Sequence, residues 1–400
     1  MNRWLYILLI AAPAAFLAEG LHASPLVVFV LASLGLIPLA GLIGLATEVL
    51  AERLGHAIGG LLNATFGNAA EIIIGLTALS AGLPEVVRAS LAGSIVGNSL
   101  LVLGTAMLVG GWRFRRQQFS PSVAGQYAAM LALAVIGMAI PSLLATVGES
   151  TRPGAAVVLG SQLHSLSIGV AIVLLLCYAA YIAFSVFKVR APQDDEDALS
   201  NPAETAGEEK NTQPEAVHAL APAEKNISRR SQTSSGPLQS LAIWWRTTLW
   251  LPIAALAAVT AVTAIVSEAL VGTIEPLTHQ VGLNPFFVGL IILPIVGNAA
   301  EHFTAITSAT HNHMEISMAI TAGSSIQIAL LAAPILVLAG ALIGKPLDLN
   351  FSLLEVALFA LATGLYALIS LDGESTWLEG LLLCAFYLIL AIGTFFAPAT

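Results

Sequence analysis

Charge is scarce in this chain of 400 residues. Asp, Glu, Lys and Arg together make up only 10% of it, whereas soluble domains carry about 25%. Basic residues are the rarer kind, with 15 Lys and Arg against 24 Asp and Glu, and the net charge of −9 argues against a nucleic-acid partner. Hydrophobic residues reach 57% and the mean hydropathy is +0.87. This composition predicts an integral membrane protein.

Cysteine is nearly absent as well. Cys177 and Cys384 are the only two, and both lie in apolar runs, where a small buried side chain is the simplest interpretation. Their number and spacing provide neither a disulfide framework nor a zinc-ligand pattern.

Long apolar stretches are abundant instead. A helix needs about 20 apolar residues to cross a hydrocarbon core of about 30 Å. The sequence contains eleven such stretches, at approximately 4–20, 25–46, 60–82, 89–111, 122–146, 156–187, 246–270, 284–308, 316–342, 350–370 and 377–397. They predict an all-α polytopic membrane protein with 11 transmembrane helices. The first stretch also has features of a cleavable signal peptide, although Pro13 and Glu19 interrupt it.

Basic residues distribute unequally if these stretches alternate across the membrane. Three of them, Arg88, Arg152 and Lys345, fall on one side. The other side collects twelve, namely Arg3, Arg53, Arg113, Arg115, Arg116, Lys188, Arg190, Lys210, Lys225, Arg229, Arg230 and Arg246. Because cytoplasmic loops are enriched in Lys and Arg, we expect the N-terminus inside and the C-terminus outside.

One polar segment divides the chain. Residues 191–240 are rich in Pro and Ser and carry acidic residues from Asp194 to Glu209. They predict a solvated cytoplasmic linker, or else an acidic segment that attracts cations or regulates. The expected organisation is an extra helix at 1–24, a first five-helix repeat at 25–190, the linker at 191–240 and a second five-helix repeat at 241–400.

A pentapeptide recurs in the two halves. Gly67-Asn68-Ala69-Ala70-Glu71 in the third stretch reappears as 297–301 in the eighth, 230 residues later. A Glu also closes the second and the seventh stretch, Glu48 and Glu268 respectively. An odd number of crossings in each half makes the repeats inverted, which is typical of secondary transporters that bind their substrate near the membrane midplane.

The fourth and ninth stretches agree more loosely. Gly93-Ser94 corresponds to Gly323-Ser324, and an amide follows each dipeptide, Asn98 in the first half and Gln327 in the second. The distance from the repeated Glu to the amide differs by one residue between the halves, so the sequence leaves their alignment open.

Carboxylates inside membrane helices indicate chemistry. Burying one costs about 2.5–3.5 kcal/mol on insertion scales, so Glu71 and Glu301 are candidate functional residues, against the alternative of a protonated Glu that only packs helices together. Asn68 and Asn298 share a helix face with them. Gly67 and Gly297 permit either a close helix approach or a local break, and Pro294 favours a break in the second half; a broken helix frees backbone carbonyl groups. Such an all-oxygen set suits Ca²⁺, which takes about 6–8 oxygen ligands.

Proton exchange follows from the same carboxylates. Burial and mutual repulsion disfavour two charges, so Glu71 and Glu301 are expected to hold either protons or a cation. His302 lies about 100° around the helix from Glu301 and is interpreted as a proton carrier, a gate residue or a packing residue. Glu48 and Glu268 would serve the access of protons or cations, or are interfacial charges.

The sequence resembles the calcium/cation–proton antiporters of the wider cation/calcium exchanger superfamily. The resemblance covers nearly all the chain outside residues 1–24 and the linker, and it rests on GNAAEIIIGLTAL (67–79), VGNAAEHFTAITSA (296–309), IPLAGLIGLATEVLAERLG (37–55), AGSSIQIALLAAPILVL (322–338) and DGESTWLEG (372–380). It implies one helix followed by two inverted repeats of five and alternating access. It also implies a central ion-binding pair and nearby amides, with His302 affecting transport; these ion-site residues are Glu71, Glu301, Asn68, Asn298, Asn98 and Gln327.

The predicted function is therefore exchange of Ca²⁺ for H⁺, with Ca²⁺ as the transported substrate and no cofactor. Na⁺, K⁺ or Mn²⁺ exchange by the same fold is the alternative. An intramembrane metal hydrolase using Glu301, His302, His311 and His313 is a remote one, because the His spacing does not match a zinc motif. Compact loops favour a bacterial inner membrane. Besides Ca²⁺ and H⁺, membrane lipid is an expected partner, and the sequence leaves homo-oligomerisation open.

Overall fold

The part of the chain that the structure describes folds almost entirely into helices. A computed structural model describes residues 7–54, 61–62, 65–151, 155–187 and 250–396. The helices are α1 (Ala11–Gly20), α2 (Pro25–Leu54), α3 (Ala69–Ser80), α4 (Pro84–Gly97), α5 (Leu103–Phe114), α6 (Pro121–Thr151), α7 (Ala155–Phe187), α8 (Trp250–Gly272), α9 (Ile274–Val281), α10 (Pro285–Phe287), α11 (Leu293–Gly297), α12 (Ala299–Thr310), α13 (Met314–Gln327), α14 (Ala333–Leu342), α15 (Leu353–Ile369) and α16 (Trp377–Phe396). Two short strands, β1 (Arg116–Gln118) and β2 (Glu374–Thr376), pair antiparallel.

The helices match the apolar stretches of the sequence. Seven helices in the described part of the chain are long and apolar enough to cross a membrane, and the bent pair Pro285–Gly297 and Ala299–Thr310 provides an eighth span. Three further stretches correspond to the shorter apolar helices α1, α3 and α15. The prediction of an all-α membrane protein is confirmed. The linker at 191–240 lies outside the described residues.

Some helices extend beyond the predicted apolar stretch because polar residues continue the helix. The stretch 25–46 was predicted to end eight residues before α2 does, at Leu54. Hydropathy marks where the hydrocarbon ends, and a helix extends into water past that point at little cost because its backbone bonds are already made. The stretch 60–82 also differs, because a turn at Gly67-Asn68 precedes α3.

The two halves share one register across three consecutive elements. Helices α3 and α12 each have 12 residues, and α4 and α13 each have 14. A five-residue π-helical turn follows in each half, at Asn98–Val102 and at Ile328–Ala332. All of these elements are related by the 230-residue offset of the pentapeptide. Asn98 therefore corresponds to Ile328, and Gln327 corresponds to Gly97, which resolves the alignment that the sequence left open.

The matching helices point in opposite directions. α4, the π-helical turn and α5 form one continuous helix, Pro84–Phe114. Helix α3 ends at Ser80, next to the start of that helix. Helix α12 ends at its far end, where Gln117 Nε2 donates to the carbonyl oxygen of Ala309 at 2.9 Å. Since α3 and α12 end at opposite ends of the same helix, the repeats are inverted.

The continuous helices Pro84–Phe114 and Met314–Leu342 lie in the centre of the bundle and are mostly buried. Gly93 on α4 makes a close approach to the other half. A Cβ atom there would lie 2.6 Å from the carbonyl carbon of Leu290 and 2.7 Å from Cγ of Pro294. Only glycine permits this contact, which brings α4 against the discontinuous helix of the second half.

Loop 343–352 forms hydrogen bonds with the C-terminal half of α6 and the N-terminal half of α7. Ser142 Oγ donates to the carbonyl oxygen of Leu349 at 2.9 Å, and Ser167 Oγ accepts from the backbone N–H of Leu349 at 3.0 Å. His164 Nδ1 lies 2.9 Å from Asp348 Oδ1. These contacts close one end of the bundle, opposite the end that carries β1 and β2.

Candidate ion-binding site

Both pentapeptides interrupt the helix at their Asn. Asn68 has φ −97° and ψ 17°, and Asn298 has φ −94° and ψ 10°, so the two breaks share one backbone conformation. In the second half the helix axis bends by 64°. There Pro294 lies four residues before the break, and its carbonyl oxygen accepts from both the backbone N–H and the Nδ2 of Asn298. The predicted break at the second motif is confirmed.

The two carboxylates occupy equivalent places directly after the breaks. Glu71 and Glu301 lie in the first turn of α3 and α12 respectively. The positive end of a helix dipole favours negative charge at this position. Each residue is half-buried, but the Oε2 atom of each is fully buried and receives no hydrogen bond from the described residues. Both are therefore acceptors that remain free to bind a cation or a proton.

The carboxylates meet across the interface between the halves. Their charges interact electrostatically, and the Glu71 side chain packs against the break of the opposite half. A Cβ atom at Gly297 would lie 3.4 Å from Glu71 Cγ and 3.6 Å from its Cδ. Gly297 thus leaves room for the Glu71 carboxyl group beside the second break.

The amides link the halves in the same region. Asn68 Nδ2 donates to Gln327 Oε1 at 2.5 Å, and all four site amides, Asn68, Asn98, Asn298 and Gln327, are buried. The Oδ1 atom of Asn68 is buried without a hydrogen-bond partner among the described residues. It adds a third free acceptor to the two carboxylate oxygens.

Two serines that the sequence analysis did not select complete this network. Asn298 Nδ2 donates to Ser94 Oγ at 3.2 Å, and Asn98 Nδ2 donates to Ser324 Oγ at 3.0 Å. Ser324 also lies beside the Glu301 carboxyl group. The signal in the sequence was the repeated Gly-Ser dipeptide, because Ser94 and Ser324 are related by the same offset of 230 as the carboxylates.

His302 joins the site through Asn98. Its Nε2 lies 3.2 Å from Asn98 Oδ1. Because the Nδ2 of that amide already donates to Ser324, its Oδ1 is the acceptor and His302 Nε2 is the donor. The side chain therefore contacts the amides and not the carboxylate next to it in the chain.

The other candidate acids lie on the first helix of each half. Glu48 is half-buried on α2, and Glu268 is exposed on α8. None of the side-chain hydrogen bonds and ion pairs of the described residues joins Glu268 to the central cluster. Their roles in proton or cation access remain predictions.

A zinc-type site is not found in the described part of the chain, where no three His, Cys, Asp or Glu residues are placed to hold a metal. His311 and His313 lie beyond the C-terminus of α12, far along the helix from Glu301. His311 Nδ1 is 2.8 Å from the carbonyl oxygen of Thr307. The site is instead an oxygen-rich cluster of two carboxylates, four amides and two hydroxyls.

Inverted halves, a helix break at the same motif in each half and a pair of carboxylates with buried oxygen atoms together define a secondary transporter. The comparisons with known proteins agree. The family described as "Sodium/calcium exchanger protein" matches residues 24–187 and 251–396. The chain belongs to this family, whose members are exchangers and not enzymes.

Individual relatives are similar over the full length. A "Ca(2+)/H(+) antiporter" of Aphanothece halophytica is 40% identical over 398 residues, covering 99% of this chain and 97% of that protein. The "Ca(2+)/H(+) antiporter ChaA" of Bacillus subtilis is 36% identical over 397 residues, with 99% of both chains covered. The solved structure of native YfkE is 32% identical and superposes with a TM-score of 0.73 over 99% of this chain and 100% of its own.

Proposed function

We propose that this protein exchanges Ca²⁺ for H⁺ by alternating access and exports Ca²⁺ from the cytoplasm of a bacterial cell. The observation that carries the proposal is the meeting of Glu71 and Glu301 at the two helix breaks, each with a buried oxygen free to accept. The relatives named as Ca²⁺/H⁺ antiporters support the choice of ions.

The oxygen set suits a hard divalent cation. The two carboxylates bring two negative charges, and the amide oxygens of Asn68, Asn98, Asn298 and Gln327 add neutral ligands. With the Ser94 and Ser324 hydroxyls, the cluster can supply the roughly 6–8 oxygens that Ca²⁺ takes. Soft or borderline metals prefer Cys and His ligands, and His302 is already engaged with Asn98.

Electrostatics couples the two substrates. Two buried carboxylates close to one another are unfavourable while both are charged and empty. Ca²⁺ neutralises them, and so does protonation, but the two occupancies exclude one another because they use the same oxygens. The change between inward-open and outward-open states is then favourable only when Ca²⁺ or protons neutralise the two carboxylates. Movement of Ca²⁺ in one direction therefore requires movement of protons in the other.

The orientation and organisation follow the charges. Arg113, Arg115 and Arg116 lie at the end that carries β1 and β2, whereas Arg88 and Lys345 lie at the opposite end. We place the first end in the cytoplasm of a bacterial inner membrane, with the N-terminus and the 191–240 linker on that side and the C-terminus outside. Residues 1–24, 25–190 and 241–400 then form the extra helix and the two repeats.

Reconstitution tests the proposal. Vesicles that contain the purified protein should take up ⁴⁵Ca²⁺ when a pH gradient is imposed and not without it. Uptake that needs Na⁺ in place of the pH gradient would contradict the proposal. Excess K⁺, Na⁺ or Mn²⁺ in the same assay identifies the ion, because a transported competitor lowers Ca²⁺ uptake in proportion to its occupancy of the site.

Variants test the site separately. Glu71→Gln and Glu301→Gln keep the shape of the side chain but remove its charge, and each should abolish exchange while the protein remains folded. Glu275→Gln is the matched control, because Glu275 is exposed on α9 and should leave exchange unchanged. Full activity in either site variant would refute the assignment of these carboxylates.

A further inference from the structure

An open groove lies where α5 ends and α16 begins. Its volume is about 560 Å³, and it is lined by Leu108, Val109, Trp112, Arg113, Thr310 and Leu381. The walls are apolar apart from the groups at the rim, Arg113 and Thr310. None of the carboxylates or amides of the central site lines it, so it is separate from the ion-binding cluster.

Two tryptophans place the groove at the boundary of the membrane. The rings of Trp112 and Trp377 pack edge to face with centroids 6.5 Å apart, and Trp112 is 80% exposed. Tryptophan concentrates at the level of the lipid headgroups. The polar strands β1 and β2 lie immediately beyond these rings, while exposed apolar side chains such as Val109 and Leu381 lie on the other side, toward the hydrocarbon.

The rim of the groove carries the positive charge of Arg113, and two further arginines, Arg115 and Arg116, follow it closely in the chain. Arg113, Arg115 and Arg116 are all exposed, and Arg116 forms an ion pair with Glu374 at 3.0 Å. In the described part of the chain, no carboxylate lies within ion-pair distance of Arg113 or Arg115. Arg113 donates one bond, to the carbonyl oxygen of Thr310 at 3.2 Å, and a guanidinium has five N–H groups to offer.

We propose that this groove binds one anionic phospholipid, with an acyl chain along the apolar wall and the phosphate held by Arg113 and Arg115. An occupant has to match both an apolar channel that faces the hydrocarbon and two exposed arginines that form no ion pair among the described residues, and an anionic phospholipid does so in one molecule. A zwitterionic lipid brings its own ammonium group, which opposes the arginines. Arginine in particular binds phosphate through paired N–H groups.

The site is positioned to influence the helix that carries the central carboxylate. Thr310 is the last residue of α12, and Glu301 lies in the first turn of the same helix. A phosphate that binds the guanidinium group of Arg113 changes its hydrogen bond to the carbonyl oxygen of Thr310 at the C-terminus of α12. The binding proposal itself does not depend on which ion the protein transports.

Fluorescence quenching tests the site on the full-length protein. The protein in detergent micelles is titrated with brominated phosphatidylglycerol or with brominated phosphatidylcholine, and the signal of Trp112 is taken as the difference between the wild type and Trp112→Phe. Each basic residue near a lipid surface contributes about 1 kcal/mol. We therefore expect half-quenching of Trp112 at a mole fraction of phosphatidylglycerol roughly five-fold or more below that of phosphatidylcholine.

Charge variants complete the test. Arg113→Gln combined with Arg115→Gln should remove the preference for phosphatidylglycerol, whereas the control Arg88→Gln, at the other end of the bundle, should keep it. Equal quenching of the wild type by both lipids overturns the proposal, as does a preference that survives in the double variant. Trp112 that neither lipid quenches also overturns it, because another molecule, such as a second copy of the chain, then covers the groove.

Discussion

Adding one methyl group at Gly93 should disturb the ion site from a distance. The Cβ of Gly93→Ala would lie 2.6 Å from the carbonyl carbon of Leu290 and 2.7 Å from Pro294 Cγ, whereas carbon atoms pack at about 3.5–4.0 Å. Helix α4 has to retreat by at least roughly 0.8–1 Å to accommodate it, because the carbonyl oxygen of Leu290 lies nearer still. Both neighbours belong to the discontinuous helix, so they offer little room to move instead.

The displacement of α4 reaches the ion-binding site through Ser94, the residue after Gly93. Ser94 Oγ accepts from Asn298 Nδ2 at 3.2 Å, and a further 0.8 Å or so takes this contact beyond hydrogen-bond range. Overpacking costs about 1–3 kcal/mol in stability. A displacement of about 1 Å in a site that depends on geometry costs up to about 100-fold in rate. We expect Gly93→Ala to lower exchange by one to two orders of magnitude, with a lower thermal midpoint.

The assay is ⁴⁵Ca²⁺ uptake driven by a pH gradient, measured with the unfolding midpoint in detergent. Gly169→Ala is the matched control, because Gly169 is an exposed helical glycine on α7 and, beyond its own helix backbone, no atom of the described residues lies within 4 Å of an added Cβ. It should keep full exchange and gain up to about 1 kcal/mol from helix propensity. If Gly93→Ala behaves like this control, the close contact of α4 does not set the site geometry.

Three further substitutions test the packing outside the site, each read as the thermal midpoint in detergent. Ser142→Ala removes the hydroxyl that accepts from the backbone N–H of Phe351 at 2.7 Å, and it should destabilise by about 1–3 kcal/mol because that buried donor loses its partner; an unchanged midpoint would contradict this. Arg116→Gln breaks an exposed ion pair and should cost no more than about 1 kcal/mol, so a larger loss would show that the pairing of β1 with β2 depends on it. Tyr387→Phe removes a buried hydroxyl without a hydrogen-bond partner among the described residues and should be neutral or stabilising by about 1 kcal/mol; a clear loss would reveal a partner for that hydroxyl.

Much of the architecture could be predicted from the sequence because lipid imposes simple rules. Each spanning segment has to be apolar and to satisfy its own backbone, so hydropathy locates the helices. A repeated pentapeptide at an offset of 230 residues identified Glu71 and Glu301, since a carboxylate in a membrane helix is costly and two in matching positions are unlikely to be incidental. Pro294 and the nearby Gly297 indicated the break in the second half, because proline lacks a backbone N–H and glycine tolerates unusual backbone conformations.

Residue type and spacing along single segments are enough to predict the class of fold, the inverted repeat and the two central carboxylates. Which side chains meet depends on how the two halves pack. It joined Asn68 to Gln327 and His302 to Asn98, and it added Ser94 and Ser324 to the site. These contacts connect residues about 200 or more positions apart. They depend on how closely α4 packs against the discontinuous helix of the other half, a distance set by packing in three dimensions.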